Sequence, residues 1–254
     1  MAGVDTPRLD AELLLGAVLD VDRGRLVIES GHTLAPDSAD RFDVLLRRRE
    51  AREPVAYILG RRAFRRLALA VDRRVLIPRP ETELLVEVGL ELGMGARVVD
   101  VGTGSGAVAL ALKDERPDLV VRGVDVSAGA VEVARANAAA LALDVTFAVG
   151  DLLDGVGAVD AVLANLPYVA EGVELAPEIA RYEPTMALFA GTDGLDVIRR
   201  AVAAVAGPTV GLLALEIGSE QADDVSALLW DAGFASVGVR KDLAGLERVV
   251  VGTA

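Results

Sequence analysis

The chain has no cysteine, one histidine (His32) and two lysines (Lys113 and Lys241). Without cysteine there can be no disulfide and no thiolate metal site, which fits a reducing compartment. With a single histidine, transition-metal ligation would rest mostly on carboxylates, so no metal is expected. His32 falls in a loop and reads as having no functional role. Long hydrophobic runs are also missing. The longest, Ala201 to Leu215, has 15 residues, is broken by Gly207-Pro208, and is too short to span a bilayer. Met1-Ala-Gly-Val-Asp lacks a basic segment followed by an apolar stretch, so no secretory signal is expected. These absences together suggest a soluble, cytoplasmic protein with no membrane partner.

Positive charge is scarce beyond residue 80. Residues 1–80 carry 15 Arg against 12 Asp and Glu; the remaining 174 carry 11 Lys and Arg against 27 Asp and Glu. A catalytic domain that neutralises phosphates should show the opposite bias, so the balance counts against a nucleic-acid substrate. The preponderance of Arg over Lys is assigned to genome composition. Over half of the 254 residues are apolar, enough for a sizeable core. The length suits one large domain or a catalytic domain with a small companion.

The first sixty residues read as short helices. Thr6-Pro7 offers a cap and a first-turn proline, followed by Leu9, Leu13, Leu14, Ala17 and Val18 at helical spacing. Pro36-Asp37-Ser38 opens a second helix with Phe42, Leu45 and Leu46 on one face, and Pro54 to Leu59, stopped by Gly60, forms a third. The period then changes: Phe64, Leu67, Leu69 and Val71 alternate, and Val75-Leu76-Ile77 follow, as in a hairpin. This divides the chain into a helical domain over 1–62, a β-hairpin linker over 63–80 and a catalytic domain over 81–254.

From Pro80 onward strands and helices alternate. Strands are expected at 97–101, 120–125, 145–149, 159–164, 209–216, 235–240 and 247–252. Helices are expected near 81–92, 106–113, 128–141, 193–205 and 219–231. Five strand-then-helix units imply a parallel sheet covered on both faces. Only Lys241 to Leu246 separates the last two strands, too little for a crossover helix, so they must pair antiparallel. A mostly parallel seven-stranded sheet closed by an antiparallel hairpin outlines the Rossmann-like α/β fold of class I methyltransferases.

Val98-Val99-Asp100-Val101 runs into Gly102-Thr103-Gly104-Ser105-Gly106, a strand entering a glycine-rich turn. Glycines let the backbone turn sharply and approach a ligand without a Cβ clash. Asp125 ends the next strand, 23 residues after Gly102, where a carboxylate can accept both ribose hydroxyls. Gly102-x-Gly104-x-x-Ala107 also satisfies the dinucleotide pattern, so the turn alone suits a nicotinamide cofactor or S-adenosylmethionine. A tight turn without ligand is the plainer alternative. Asp100, placed to hold an ammonium directly or through water, favours S-adenosylmethionine. So do Asp151 and Leu152 after the third strand, placed for an adenine amine and face; Asp151 could instead merely cap the following turn.

About sixty residues further on, an apolar run from Val159 to Ala164 ends in Asn165-Leu166-Pro167-Tyr168. The Asn165 side-chain oxygen and the Leu166 carbonyl can both accept hydrogen bonds from one NH2 group. Pro167 disfavours the helical conformation at Leu166, and Tyr168 offers a flat face. Amide and aromatic amines are poor nucleophiles, and such a loop aims one at an activated methyl group. A polar strand-end turn is the bland alternative.

Along nearly its whole length the chain resembles the HemK/PrmC-type release factor glutamine methyltransferases. The resemblance covers Asp10-Ala11-Glu12-Leu13-Leu14-Leu15, Glu53-Pro54-Val55-Ala56-Tyr57-Ile58-Leu59-Gly60, and Leu76-Ile77-Pro78-Arg79-Pro80-Glu81-Thr82-Glu83. It continues through Asp100 to Gly106, Tyr182-Glu183-Pro184, Glu216-Ile217-Gly218 and Lys241-Asp242-Leu243-Ala244-Gly245. It implies S-adenosylmethionine as methyl donor and methylation of the glutamine in the Gly-Gly-Gln motif of peptide chain release factors. The helical domain would help recognise that protein substrate. Two departures stand out: Leu166 replaces the proline usual in Asn-Pro-Pro-Tyr, and Leu152 stands where a larger aromatic is common. The Asn-Leu-Pro-Tyr string also looks like that of ribosomal RNA adenine dimethyltransferases, so a nucleic-acid adenine methyltransferase is the alternative reading. Arg79 and Glu81 are candidates for a substrate wall or a domain-orienting ion pair. Arg61, Arg62, Arg65, Arg66, Arg73 and Arg74 read as a docking surface for the release factor, Arg47-Arg48-Arg49 as a solvated helix face, and Trp230 as packing.

Overall fold

A computed structural model describes residues 4–29, 31–205 and 210–254. The expected strand start at residue 209 and the Gly207-Pro208 break lie outside the described residues. The chain forms two compact units, one of residues 1–61 with 175–183 and one of residues 62–174 with 184–254.

The smaller unit carries α1 (Pro7–Leu19), α2 (Arg23–Ile28), α3 (Pro36–Glu50) and α4 (Val55–Leu59); the hairpin strands β1 (Arg61–Phe64) and β2 (Leu67–Ala70) follow at the start of the larger unit. Prolines at the first turns of α1 and α3 start those helices at no hydrogen-bond cost. Helix α2 escapes the sequence reading. It is six residues long, buries none of them, and starts where Asp22 accepts the Arg25 N–H at 2.9 Å.

The solvated-face reading of Arg47-Arg48-Arg49 fails at its last residue. Arg49 is only 6% exposed. Its guanidinium holds Asp10 of α1 at 2.7 Å and Glu178 at 2.9 Å, and Arg52 holds the other Glu178 oxygen at 2.7 Å. Spacing explains the position, since Leu45, Leu46 and Arg49 share one side of α3. Glu178 belongs to α8 (Pro177–Tyr182), a short helix also missed by the sequence reading, where the Tyr182 hydroxyl donates to the Ala51 carbonyl at 2.8 Å.

The larger unit carries α5 (Glu83–Leu90), β3 (Arg97–Val101), α6 (Ala107–Glu115), β4 (Val120–Asp125), α7 (Ala128–Leu141), β5 (Thr146–Val149) and β6 (Ala161–Ala164). After α8 come α9 (Asp196–Val205), β7 (Leu212–Glu216), α10 (Ala222–Asp231), β8 (Ser236–Lys241) and β9 (Glu247–Thr253). The sheet order is β5-β4-β3-β6-β7-β9-β8. The first five strands are parallel, and β9 runs antiparallel to both β7 and β8. Val98, Ala161 and Leu163 bury into one core with α5, α6 and α7. Val99, Val162 and Ala164 bury into the other with α9 and α10. Strands covered on both faces therefore read as unbroken apolar runs.

The hairpin packs into this unit, with Phe64, Leu67 and Leu69 in the α5–α7 core. Several of its arginines are engaged within the unit. Arg65 pairs with Glu115, Arg74 with Asp72 at 2.7 Å and Glu132 at 3.1 Å, and Arg62 donates to the Pro78 carbonyl at 3.3 Å. Trp230, at the end of α10, is 52% exposed. Among the described residues no helix is long and apolar enough to cross a membrane. No cluster of three or more His, Asp or Glu side chains among them could hold a metal ion.

Candidate active site

At the carboxyl ends of β3, β4, β5 and β6 lies a cavity of about 250 Å³, the usual ligand position in an open α/β sheet. Its floor is the glycine-rich turn. Gly102 takes φ of 72° and Gly104 of 55°, the left-handed region that favours glycine. Both the Gly102 and Thr103 N–H groups donate to the Val124 carbonyl, at 2.9 and 3.0 Å. A Cβ on Gly102 would also stand 3.2 Å from the Asn165 carbonyl oxygen and 3.3 Å from Leu166 Cδ2. The two loops singled out in the sequence are thus in contact.

Asp100 is 2% exposed. Its Oδ2 accepts the Thr103 hydroxyl at 2.6 Å and the Ala109 N–H at 3.2 Å, and among the described residues its Oδ1 accepts nothing. Burial pushes this carboxyl up to about 7 against the pull of those two donors. The Ser105 hydroxyl, also on the cavity wall, is buried without a hydrogen-bond partner. Asp125 is held from both sides: Oδ2 accepts Gly104 N–H at 2.9 Å and Oδ1 accepts Ser127 N–H at 2.8 Å. Burial raises its pKa, and the two backbone donors oppose the rise. Each oxygen keeps lone-pair capacity after one bond.

Asp151 and Leu152 line the far side of the cavity. Asp151 is paired with Arg200 at 2.5 Å, and Leu152 sits at φ of 52°. On the near side, Asn165, Leu166 and Pro167 form wall. Asn165 Nδ2 donates to the Thr82 hydroxyl at 3.0 Å, and among the described residues its Oδ1 has no donor. Leu166, only 4% exposed, packs into the α9–α10 core.

Four expected site residues are not on the cavity wall. Gly106 is a packing position, where a Cβ would stand 3.0 Å from Leu110 Cδ1 and 3.1 Å from Phe147 Cζ. Tyr168 is half-buried and off the wall. Its hydroxyl donates to Glu216 Oε1 at 3.4 Å, and its carbonyl accepts Gln221 Nε2 at 3.1 Å. Burial, then the Glu216 charge, raises the phenol pKa. Arg79 and Glu81, on either side of Pro80 ahead of α5, also stand off the wall.

The structure adds residues the sequence reading passed over. Gly123, inside β4, leaves room for the turn, since a Cβ there would lie 2.7 Å from Thr103 Oγ1 and 2.4 Å from Phe147 Cδ1. A glycine within a strand pattern is itself a signal of close approach. Asn137 of α7 donates to the Ala70 and Ser105 carbonyls at 3.0 and 2.9 Å and accepts the Ala70 N–H at 2.8 Å. It clamps the hairpin to the glycine turn, and nothing in a run of alanines announces that role.

The sheet order and a ligand cavity at the carboxyl strand ends define a methyltransferase fold. A methyltransferase from Pyrococcus furiosus shares it, with TM-score 0.57 over 85% of this chain and 98% of that one at 16% identity. Residues 1–60 match the PrmC N-terminal domain and residues 80–182 the methyltransferase small domain. A release factor glutamine methyltransferase of Rhodospirillum rubrum is 43% identical over 99% of this chain and 80% of its own length. The corresponding protein of Mycolicibacterium smegmatis is 44% identical over 99% of this chain and 92% of its own. The chain belongs to the release factor glutamine methyltransferase family.

Proposed function

We propose that the chain transfers a methyl group from S-adenosylmethionine to the side-chain amide nitrogen (N5) of the glutamine in the Gly-Gly-Gln motif of peptide chain release factors. The observation that carries this is the Asn165 amide. Its NH2 end is tied to Thr82, while its oxygen, without a donor among the described residues, belongs to a loop touching the glycine turn.

The wall fits the donor molecule. Asp100 supplies a carboxylate oxygen without a donor for an ammonium, Ser105 an unpartnered hydroxyl, and Asp125 spare lone pairs for ribose hydroxyls. Gly102, Thr103 and Gly104 bring backbone close to it, and Asp151 and Leu152 border the adenine end. When bound, S-adenosylmethionine supplies a methyl carbon already activated by its sulfonium.

The acceptor problem is then orientation. A glutamine amide has a delocalised lone pair and nucleophilicity too low to find the methyl group unaided. Asn165 Oδ1 takes one amide hydrogen and the Leu166 carbonyl the other, so the nitrogen is held in one pose. Pro167 keeps that carbonyl extended, a restraint that survives the change of the preceding residue to Leu166. No strong base need act before transfer. Tyr168 anchors the loop to β7 through Glu216.

Labelled S-adenosylmethionine, incubated in parallel with a release factor, its glutamine-substituted form and ribosomal RNA, tests this reading. Label on the unaltered release factor alone is expected. Label on RNA adenine alone would instead favour the nucleic-acid reading.

A further inference from the structure

The acceptor loop bridges a gap in the secondary structure. Strand β6 ends at Ala164 and the next pairing is the isolated bridge of Val169 with Phe189, so Asn165 to Tyr168 lie outside any strand. The far end of this segment is gripped by the turn between β7 and α10, which opens with Glu216-Ile217-Gly218 and closes on Gln221. The Tyr168 hydroxyl reaches Glu216 Oε1 at 3.4 Å. A Cβ on Gly218 would stand 3.7 Å from Tyr168 Cδ2, so the ring lies against a bare glycine. Gln221 Nε2 donates to the Tyr168 carbonyl at 3.1 Å, while Gln221 Oε1 accepts the Gly218 N–H at 2.9 Å. Gly194 closes on the same carbonyl. It takes φ of 77°, and a Cβ there would stand 2.3 Å from the Tyr168 carbonyl oxygen.

Polarity fixes the orientation of the Gln221 amide. Its NH2 faces two carbonyls, that of Tyr168 and, at 3.5 Å, that of Asp193, and its oxygen faces an N–H. Turned over, it would set oxygen against both carbonyls and NH2 against a donor. Two peptide units separate the Tyr168 carbonyl from that of Leu166, and Pro167 between them locks one of the intervening torsions. A shift at Tyr168 is therefore carried back toward the Leu166 carbonyl. We propose that Gln221 is a positioning residue for the acceptor glutamine: its amide holds the Tyr168 peptide, and through Pro167 it sets the direction of the Leu166 carbonyl. The inference rests on the glutamine-methylation reading above, in which Gln221 touches no reacting atom.

Gln221 also stands just before α10, so the rival role is structural support for the turn and the helix start. Gln221→Glu separates the two roles. At about pH 8, above the ordinary carboxylate range, its carboxylate still accepts the Gly218 N–H and suits a helix N-terminus, but it has no hydrogen for the Tyr168 carbonyl. Gln221→Met loses both contacts at similar length. Transfer by the wild-type chain to a release factor is measured first, since its failure would overturn the function itself. With that transfer present, and well below every thermal midpoint, Gln221→Glu should lower kcat ~10–100-fold, since a misplacement of about 1 Å can cost about 10²-fold. S-adenosylmethionine affinity by calorimetry and the KM for release factor should change little. Gln221→Met should lose kcat to a similar extent and lower the thermal midpoint as well. The proposal is overturned if Gln221→Glu turns over within about twofold of wild type, or if its kcat falls only together with donor affinity. Should Gln221→Glu not fold, Gln221→Met decides: a lowered kcat at unchanged donor affinity supports the proposal, and wild-type kcat overturns it.

Discussion

Asp125 Oδ2 accepts the Gly104 N–H at 2.9 Å, so the carboxylate assigned to the ribose also fixes the glycine turn. Asp125→Ala removes both functions. Charge-assisted hydrogen bonds are typically worth ~1.5–3 kcal/mol, which corresponds to roughly ten- to a hundredfold weaker S-adenosylmethionine binding. Calorimetry showing unchanged affinity, or tighter binding of NAD than of S-adenosylmethionine, would refute the assignment.

Asp100 gives the binding step a pH dependence. Burial sets its carboxyl at about 7, so below that pH the group is mostly protonated and has no charge to offer an ammonium. S-Adenosylmethionine affinity should therefore fall as pH is lowered from 7.5 to 5.5, and binding at the lower pH should release a proton. Asp100→Asn should bind weakly with a flatter profile. The same titrations in buffers of different ionisation enthalpy check the proton count, and a flat wild-type profile would contradict the proposed role.

Glu216 makes stability depend on pH in the opposite sense to a salt-bridged acid. Burial raises its carboxyl in the folded chain to about 7, above the ordinary glutamate value of 4.5 that it has when unfolded. Between those values the folded state binds more protons, so this group's contribution to stability falls as pH rises from about 4.5 to 7. Glu216→Gln should raise the thermal midpoint at pH 8, with the gain shrinking toward pH 5. The full effect is on the order of 3 kcal/mol, since a tenfold change in proton affinity corresponds to about 1.4 kcal/mol. A gain that is largest at pH 5 would show the sign to be wrong.

Arg49 should matter to folding of the smaller unit. Removing one member of a buried ion pair typically costs ~3–5 kcal/mol, because its partners keep uncompensated charge. Arg49→Ala leaves Asp10 in that condition, while Glu178 keeps its pairing with Arg52, whereas an exposed pair such as Arg8 with Glu12 should contribute little. Denaturant unfolding of the two alanine variants, Arg49→Ala and Arg8→Ala, measures the contrast.

Much of the larger unit could be read from its periodicity. Helix α7 has the bounds its spacing implied, and the short 241–246 connection implied the antiparallel end of the sheet. Helices α2 and α8 were not legible, because six-residue segments complete too few turns to show a period. Arg49 was misread because its partners lie 39 and 129 residues away. The glycine turn and Asn165 announced themselves through local residue types. The contact of Asn165 with Thr82 did not, since the two lie 83 residues apart and meet only where the end of β6 reaches the start of α5.

Asn165 bears most directly on the central claim. The full chain and its Asn165→Ala variant, each with saturating S-adenosylmethionine and a release factor, should differ mainly in kcat, with a much smaller change in donor affinity. Losing one preorganised polar group of this kind typically costs ~10²–10³ in rate. Mass spectrometry of the product should place one methyl group on the Gly-Gly-Gln glutamine. Full activity in Asn165→Ala, or a wild-type enzyme that methylates only adenine in RNA, would contradict the account.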